Sequence, residues 1–128
     1  MKTVTIEAVD SKFDWYRLGH HRGKKLAYIK RLCAQIAAAF HPERIILFGS
    51  QAYGKPTADS DVDLLVIMPH KGPGAEQATR IRLKVRAPFP MDLLVRSPQK
   101  IDQRLAWGDC FIEEILEKGK VLYEAAHS

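Results

Sequence analysis

The sequence predicts an α+β domain in which helices cover one mixed β-sheet. Short β-branched runs alternate with longer segments of helical spacing. Glycine, proline and polar residues punctuate the junctions. A length of 128 residues suits a single hydrophobic core. One domain over residues 1–128 is therefore expected, with 1–23 left unassigned.

In that first stretch Val4-Thr5-Ile6 could form a short edge strand, and Asp10 to Arg22 a turn or a helix. From Lys24 to Phe40 the apolar positions Leu26, Ile29, Leu32, Cys33, Ile36, Ala37 and Phe40 recur at helical spacing, and Pro42 stops the run. This helix should back the sheet. Ile45 to Phe48 and Val62 to Met68 are short and β-branched, as buried strands are. Between them Lys55-Pro56-Thr57-Ala58-Asp59 reads as a loop. Ala75 to Val85 reads as helical, and Pro88 and Pro90 impose an extended entry into a strand from Met91 to Val95. Ser97-Pro98 offers a cap and a first-turn proline for a helix through Ile101 and Leu105. A further helix over Cys110 to Lys118 ends at Gly119, read as a C′ residue, and Lys120 to Glu124 closes as a strand or an extended tail.

Hydrophobic residues make up 46% of the chain and charged residues 27%, which is ordinary for a soluble protein. No apolar run approaches the ~20 residues of a bilayer span, and Met1-Lys2-Thr3-Val4 opens no signal-peptide core, so a cytoplasmic protein is expected. Twenty Lys and Arg against 15 Asp and Glu give a net charge of +5, which favours nucleotides, nucleic acid or an acidic partner without choosing among them. The basic runs at 20–25, at Lys30-Arg31 and at Arg80, Arg82, Lys84 and Arg86 read as solvated faces. Cys33 and Cys110 lack metal or redox spacing and read as two buried reduced thiols; the five histidines show no zinc-ligand spacing.

The chemistry concentrates in Ile45-Ile46-Leu47-Phe48-Gly49-Ser50 and, after ten intervening residues, Asp61-Val62-Asp63-Leu64-Leu65-Val66. Side chains two apart on a strand share a face, so Asp61 and Asp63 project together while Val62 turns away. Two such carboxylates repel unless a proton or a hard divalent cation such as Mg2+ relieves them. Gly49 permits close backbone approach, and Ser50 adds a small hydroxyl beside backbone N–H donors, a pairing suited to an anionic phosphate.

This arrangement resembles the signature of the DNA polymerase β-like nucleotidyltransferase superfamily, and most closely its minimal nucleotidyltransferase (MNT) branch. Tyr53-Gly54, Ser60 and the later strand Pro90-Met91-Asp92-Leu93-Leu94-Val95 add to the likeness, which spans roughly Leu26 to Glu124. The resemblance implies a palm-like nucleotidyltransferase fold in which Asp92 joins Asp61 and Asp63 from a neighbouring strand; register itself is not visible in a sequence. It further implies two Mg2+ ions held by Asp61, Asp63 and Asp92, with Asp92 nearest the nucleophile, and ATP as substrate. Gly49 and Ser50 would hold the phosphates and Ser60 would orient the aspartates. Lys55 or a basic residue of 80–86 would neutralise the triphosphate. Many relatives carry arginine in the Gly-Ser loop where this chain has Gln51 and Tyr53.

Small MNT proteins act as antitoxins of HEPN-domain toxins, which they silence by adding AMP to a tyrosine. The expected function is therefore Mg-dependent transfer of AMP from ATP to a protein hydroxyl, with a HEPN toxin as partner. The large acceptor-binding domain of polymerases is missing from these 128 residues, as expected if a partner supplies that platform. Two alternatives differ in class: a nucleotide-binding antitoxin that blocks its partner sterically, and a transferase acting on a small molecule or an RNA end. Nucleic acid is not the favoured partner.

Overall fold

The computed structural model describes residues 22–53 and 61–126. The expectations for Val4 to Ile6, for the segment before the first helix and for the 55–59 loop lie outside the described residues. Along the chain run α1 (Arg22–Phe40), β1 (Arg44–Phe48), a single helical turn α2 (Ser50–Tyr53), β2 (Val62–Ile67), α3 (Gly74–Lys84), β3 (Met91–Arg96), α4 (Pro98–Ala106), α5 (Cys110–Lys118) and β4 (Lys120–Glu124). No helix among the described residues is long and apolar enough to cross a membrane.

The four strands form one sheet in the order β3-β2-β1-β4. β1 runs antiparallel to β2 and to β4, while β2 and β3 are parallel. The sheet is mixed, as the sequence predicts. Parallel neighbours need a crossover, and α3 provides it between β2 and β3. Strand alternation gives the sheet two apolar faces. Ile45, Leu47, Val62, Leu64, Val66, Leu93 and Val95 pack with Ile29, Leu32 and Ile36 of α1 and Ala78 and Ile81 of α3. Ile46, Phe48, Leu65 and Ile67 pack on the other side with Ile101 of α4 and Ile112 and Ile115 of α5.

Helix α1 ends where expected. His41 adopts a left-handed φ of 51° and donates its N–H to Ala37 O at 3.0 Å, closing the last turn before Pro42. Ser97 caps α4 by accepting from Lys100 N at 3.1 Å, with Pro98 in the first turn.

Two readings need correction. Gly119 is not a left-handed C′ residue, since its φ of −67° suits any side chain. A Cβ there would strike Ile115 O and Ile46 Cγ2, so glycine is required by the close passage of the chain from α5 into β4. Cys110 is exposed, whereas Cys33 is buried as expected. Its place at the first position of α5, beside the exposed Phe111, leaves the Cys110 thiol outside both apolar clusters.

Candidate active site

At one end of the sheet β1 finishes and β2 and β3 begin. Register brings three residues into a row there: Phe48 of β1 opposite Asp63 of β2, and Asp63 beside Asp92 of β3. Paired residues on adjacent strands point to the same side. Asp63 and Asp92 therefore lie side by side on the α4/α5 face. The register that sequence reading left open places them in direct lateral pairing.

The electrostatics match this geometry. The Asp63 carboxyl is pushed above its ordinary 3.8, first by partial burial, then by the negative charge of Asp92, by a side-chain hydrogen bond with Asp92 and by the charge of Asp61. Asp61, which sits exposed just before β2, is thus close enough to act on Asp63. Of the three acids singled out in the sequence, Asp63 and Asp92 are paired and Asp61 lies within electrostatic reach of Asp63.

The glycine-serine turn meets the same carboxylates. Gly49 has a left-handed φ of 75°, and a Cβ built on it would overlap Asp63 Oδ2, with Asp63 Cγ 3.2 Å away. Its carbonyl accepts from Ala52 N at 3.0 Å and Tyr53 N at 3.1 Å, winding Ser50–Tyr53 into one helical turn. Ser50 is exposed at its start.

The remaining site residues divide. Lys55 and Ser60, with Gly54, lie outside the described residues. Of the basic 80–86 segment, Arg80 is engaged with Gln77 and Glu76 along its own helix. Arg82 instead reaches the start of β3 and donates to Met91 O at 3.1 Å, one residue before Asp92.

Sequence reasoning missed Phe48 and Phe111. Phe48 shares the face and the row of Asp63, and Phe111 of α5 meets it edge-on with centroids 5.7 Å apart and planes at 83°. Phe111 remains 52% exposed, so the pair sets an apolar, partly open wall beside the carboxylates. Strand alternation would have placed Phe48 there, whereas nothing local announces Phe111.

Among the described residues no group of three or more His, Cys, Asp or Glu side chains is placed to hold a metal ion. The donor chemistry nevertheless fits a hard divalent cation. Burial and the neighbouring charges of Asp92 and Asp61 hold the Asp63 carboxyl above its ordinary range, and a cation between the carboxylates would relieve that repulsion while leaving them ionised.

Residues 28–123 match the nucleotidyltransferase domain family. The chain belongs to that family. A Methanocaldococcus jannaschii protein named as a putative protein adenylyltransferase is 32% identical over 82 residues, covering 63% of this chain and 78% of that one. A crystal structure described as a putative nucleotidyltransferase from Sulfolobus solfataricus superposes with a TM-score of 0.53 at 20% identity, over 73% of this chain and 83% of that one. That likeness concerns the fold. This nucleotidyltransferase is thus an α+β enzyme of nucleotidyl transfer, a family that generally uses a nucleoside triphosphate and a divalent metal.

Proposed function

We propose that this nucleotidyltransferase moves AMP from ATP to a protein hydroxyl, a tyrosine of a HEPN-domain toxin, and so acts as an antitoxin. The observation that carries the transfer chemistry is the pairing of Asp63 with Asp92 directly against Gly49. It joins a carboxylate pair to a glycine turn. The protein acceptor is supported by the M. jannaschii relative, whose name specifies protein adenylylation. The toxin partner rests on the resemblance to the MNT branch.

In this reading Asp61, Asp63 and Asp92 hold Mg2+. When bound, the metal supplies Lewis-acid polarisation at the α-phosphate and neutralises the charge of the departing pyrophosphate. Asp92, on the edge strand β3 and exposed, is open to an incoming hydroxyl and would accept its proton. The hydroxyl oxygen bonds to the α-phosphorus, the bond to the β-phosphate oxygen breaks, and pyrophosphate leaves. Ser50 and the backbone at Gly49 bind the β- and γ-phosphates, and Ser60 and Lys55 complete the nucleotide site. Phe48 and Phe111 keep one side of the carboxylates apolar, which strengthens the charge interactions there.

The test is co-expression with the partner followed by incubation with ATP labelled at the α- or the γ-phosphate. Label from the α-position on a partner tyrosine, absent with Asp61→Ala, supports the reading. Partner activity suppressed equally by wild type and Asp61→Ala, without label, contradicts it and favours a steric antitoxin.

A further inference from the structure

At the opposite end of the sheet, where β3 leaves it, lies a cavity of about 350 Å³ bordered by the start of α3 and by α4. The volume falls in the range of small-molecule sites. Its charged lining is of one sign: Arg96 from the end of β3 and Lys100 and Arg104 one turn apart on α4, with His70 from the β2–α3 connection beside them and no Asp or Glu among the lining residues. Arg96 is oriented by donating to Val95 O at 2.8 Å, and Lys100 is steadied by Gln103 Oε1 at 3.2 Å. Arg104 has an acidic neighbour in Asp109 at 3.9 Å, a partly buried pair at the long limit of an ion-pair distance that offsets part of its positive field. The floor is close-packed backbone, for a Cβ on Gly74 would strike Val95 O.

An aromatic side chain adjoins these cations. Trp107, at the end of α4, is 65% exposed. Lys100 Nζ lies 6.0 Å and Arg104 Cζ 5.8 Å from its ring centroid. The same two cations thus border the cavity and touch the indole.

We propose that this cavity is a second, non-catalytic site for a nucleoside phosphate, with the phosphate held by Arg96, Lys100 and Arg104 and the base stacked on Trp107. Cations for phosphate beside an exposed ring for a base are the two parts of single-stranded nucleic-acid sites and of nucleotide sites alike. Neither part is explained by the transfer chemistry, because Asp92 and Arg96 are four residues apart on β3, roughly 13 Å along the strand. The ligand is either a free mononucleotide or a nucleotide of an RNA strand.

Binding is measured in EDTA, where the three carboxylates of the catalytic end repel phosphate, using fluorescein-labelled octa-adenylate RNA and, separately, AMP as competitor. Tight binding of both assigns a mononucleotide site, and binding of the octamer alone assigns an RNA site. Either outcome requires that Lys100→Ala/Arg104→Ala weaken binding about tenfold or more and that Trp107→Ala weaken it as well. For RNA, each cation removed should lower the slope of log affinity against log salt by ~0.7. Lys30→Ala/Lys118→Ala removes the same charge from elsewhere on the exposed surface. No binding by wild type, equal losses in the two double variants, or equal competition by poly-glutamate with Trp107→Ala neutral would overturn the proposal. Unfolding curves for each variant separate lost binding from lost fold.

Discussion

Replacing Gly49 by alanine separates what the glycine does for the backbone from what it does for the carboxylates. Gly49 and Gly108 share a φ of 75°, but their surroundings differ. A Cβ on Gly108 meets nothing within 4 Å, whereas one on Gly49 overlaps Asp63 Oδ2. Gly108→Ala therefore measures the left-handed backbone cost alone, about 1–2 kcal/mol, or ~4 °C in melting temperature for each kcal/mol at this chain length. Gly49→Ala bears the same cost and must also displace the Asp63 carboxylate. Asp63 is only half-buried and can swing aside, so the stability loss should stay near that of Gly108→Ala. Catalysis should not. A displacement on the order of 1 Å in a positioned group costs ~100-fold in rate, equivalent to about 2.7 kcal/mol of barrier. The assay pairs thermal unfolding with steady-state transfer of labelled AMP for both variants. If Gly49→Ala turns over as fast as Gly108→Ala, the contact between the glycine turn and Asp63 has no catalytic meaning and the reasoning fails.

Three further outcomes follow from the same geometry. With its carboxyl pushed above 3.8 by burial, Asp92 and Asp61, Asp63 binds more protons folded than unfolded, so it stabilises the metal-free fold below its unfolded pKa and loses that contribution as pH rises through the folded one. Asp63→Asn should flatten this fall as pH rises above about 4 and melt higher than wild type at neutral pH in EDTA; an unchanged pH profile would remove the carboxylate repulsion from the account. Asp109 caps α5 by accepting from Phe111 N at 3.0 Å and Ile112 N at 3.2 Å, so Asp109→Ala should cost about 1–2 kcal/mol in urea unfolding with the m-value unchanged, and no shift in midpoint would refute the cap. Cys33 is buried and its thiol pushed up to about 12 by burial, while Cys110 is exposed. One thiol should therefore react with an aromatic disulfide in the native protein and the second only after unfolding; two fast thiols would contradict the packing of α1.

The elements were legible because their signals are local. The apolar spacing of α1, the β-branched runs of β1 and β2, and the Ser97-Pro98 cap each depend on neighbours a few residues away, and each lies within a residue or two of its expected bounds. Asp61 and Asp63 were legible for the same reason, since alternation alone puts them on one face. Asp92 was legible only through the family resemblance, because its pairing with Asp63 depends on strand order and register, which arise from packing between distant segments. Gly119 shows the same limit: a glycine after a helix suggests a left-handed cap, while the actual constraint comes from the Ile115 carbonyl and from Ile46 and Leu47 of the neighbouring strand. Phe111 stands beside Phe48 only because α5 packs on β1, and the meeting of Arg96 with Lys100 and Arg104 required the turn from β3 into α4.

The central claim is that Asp61, Asp63 and Asp92 together perform nucleotidyl transfer. Its most direct test is transfer of label from α-labelled ATP to the co-purified acceptor, with Mg2+ and then with EDTA, for wild type and for Asp61→Ala, Asp63→Asn and Asp92→Asn, each shown to be folded. The account predicts label with wild type and Mg2+, and its loss in EDTA and in all three variants. Undiminished transfer by any one of the folded variants would contradict it.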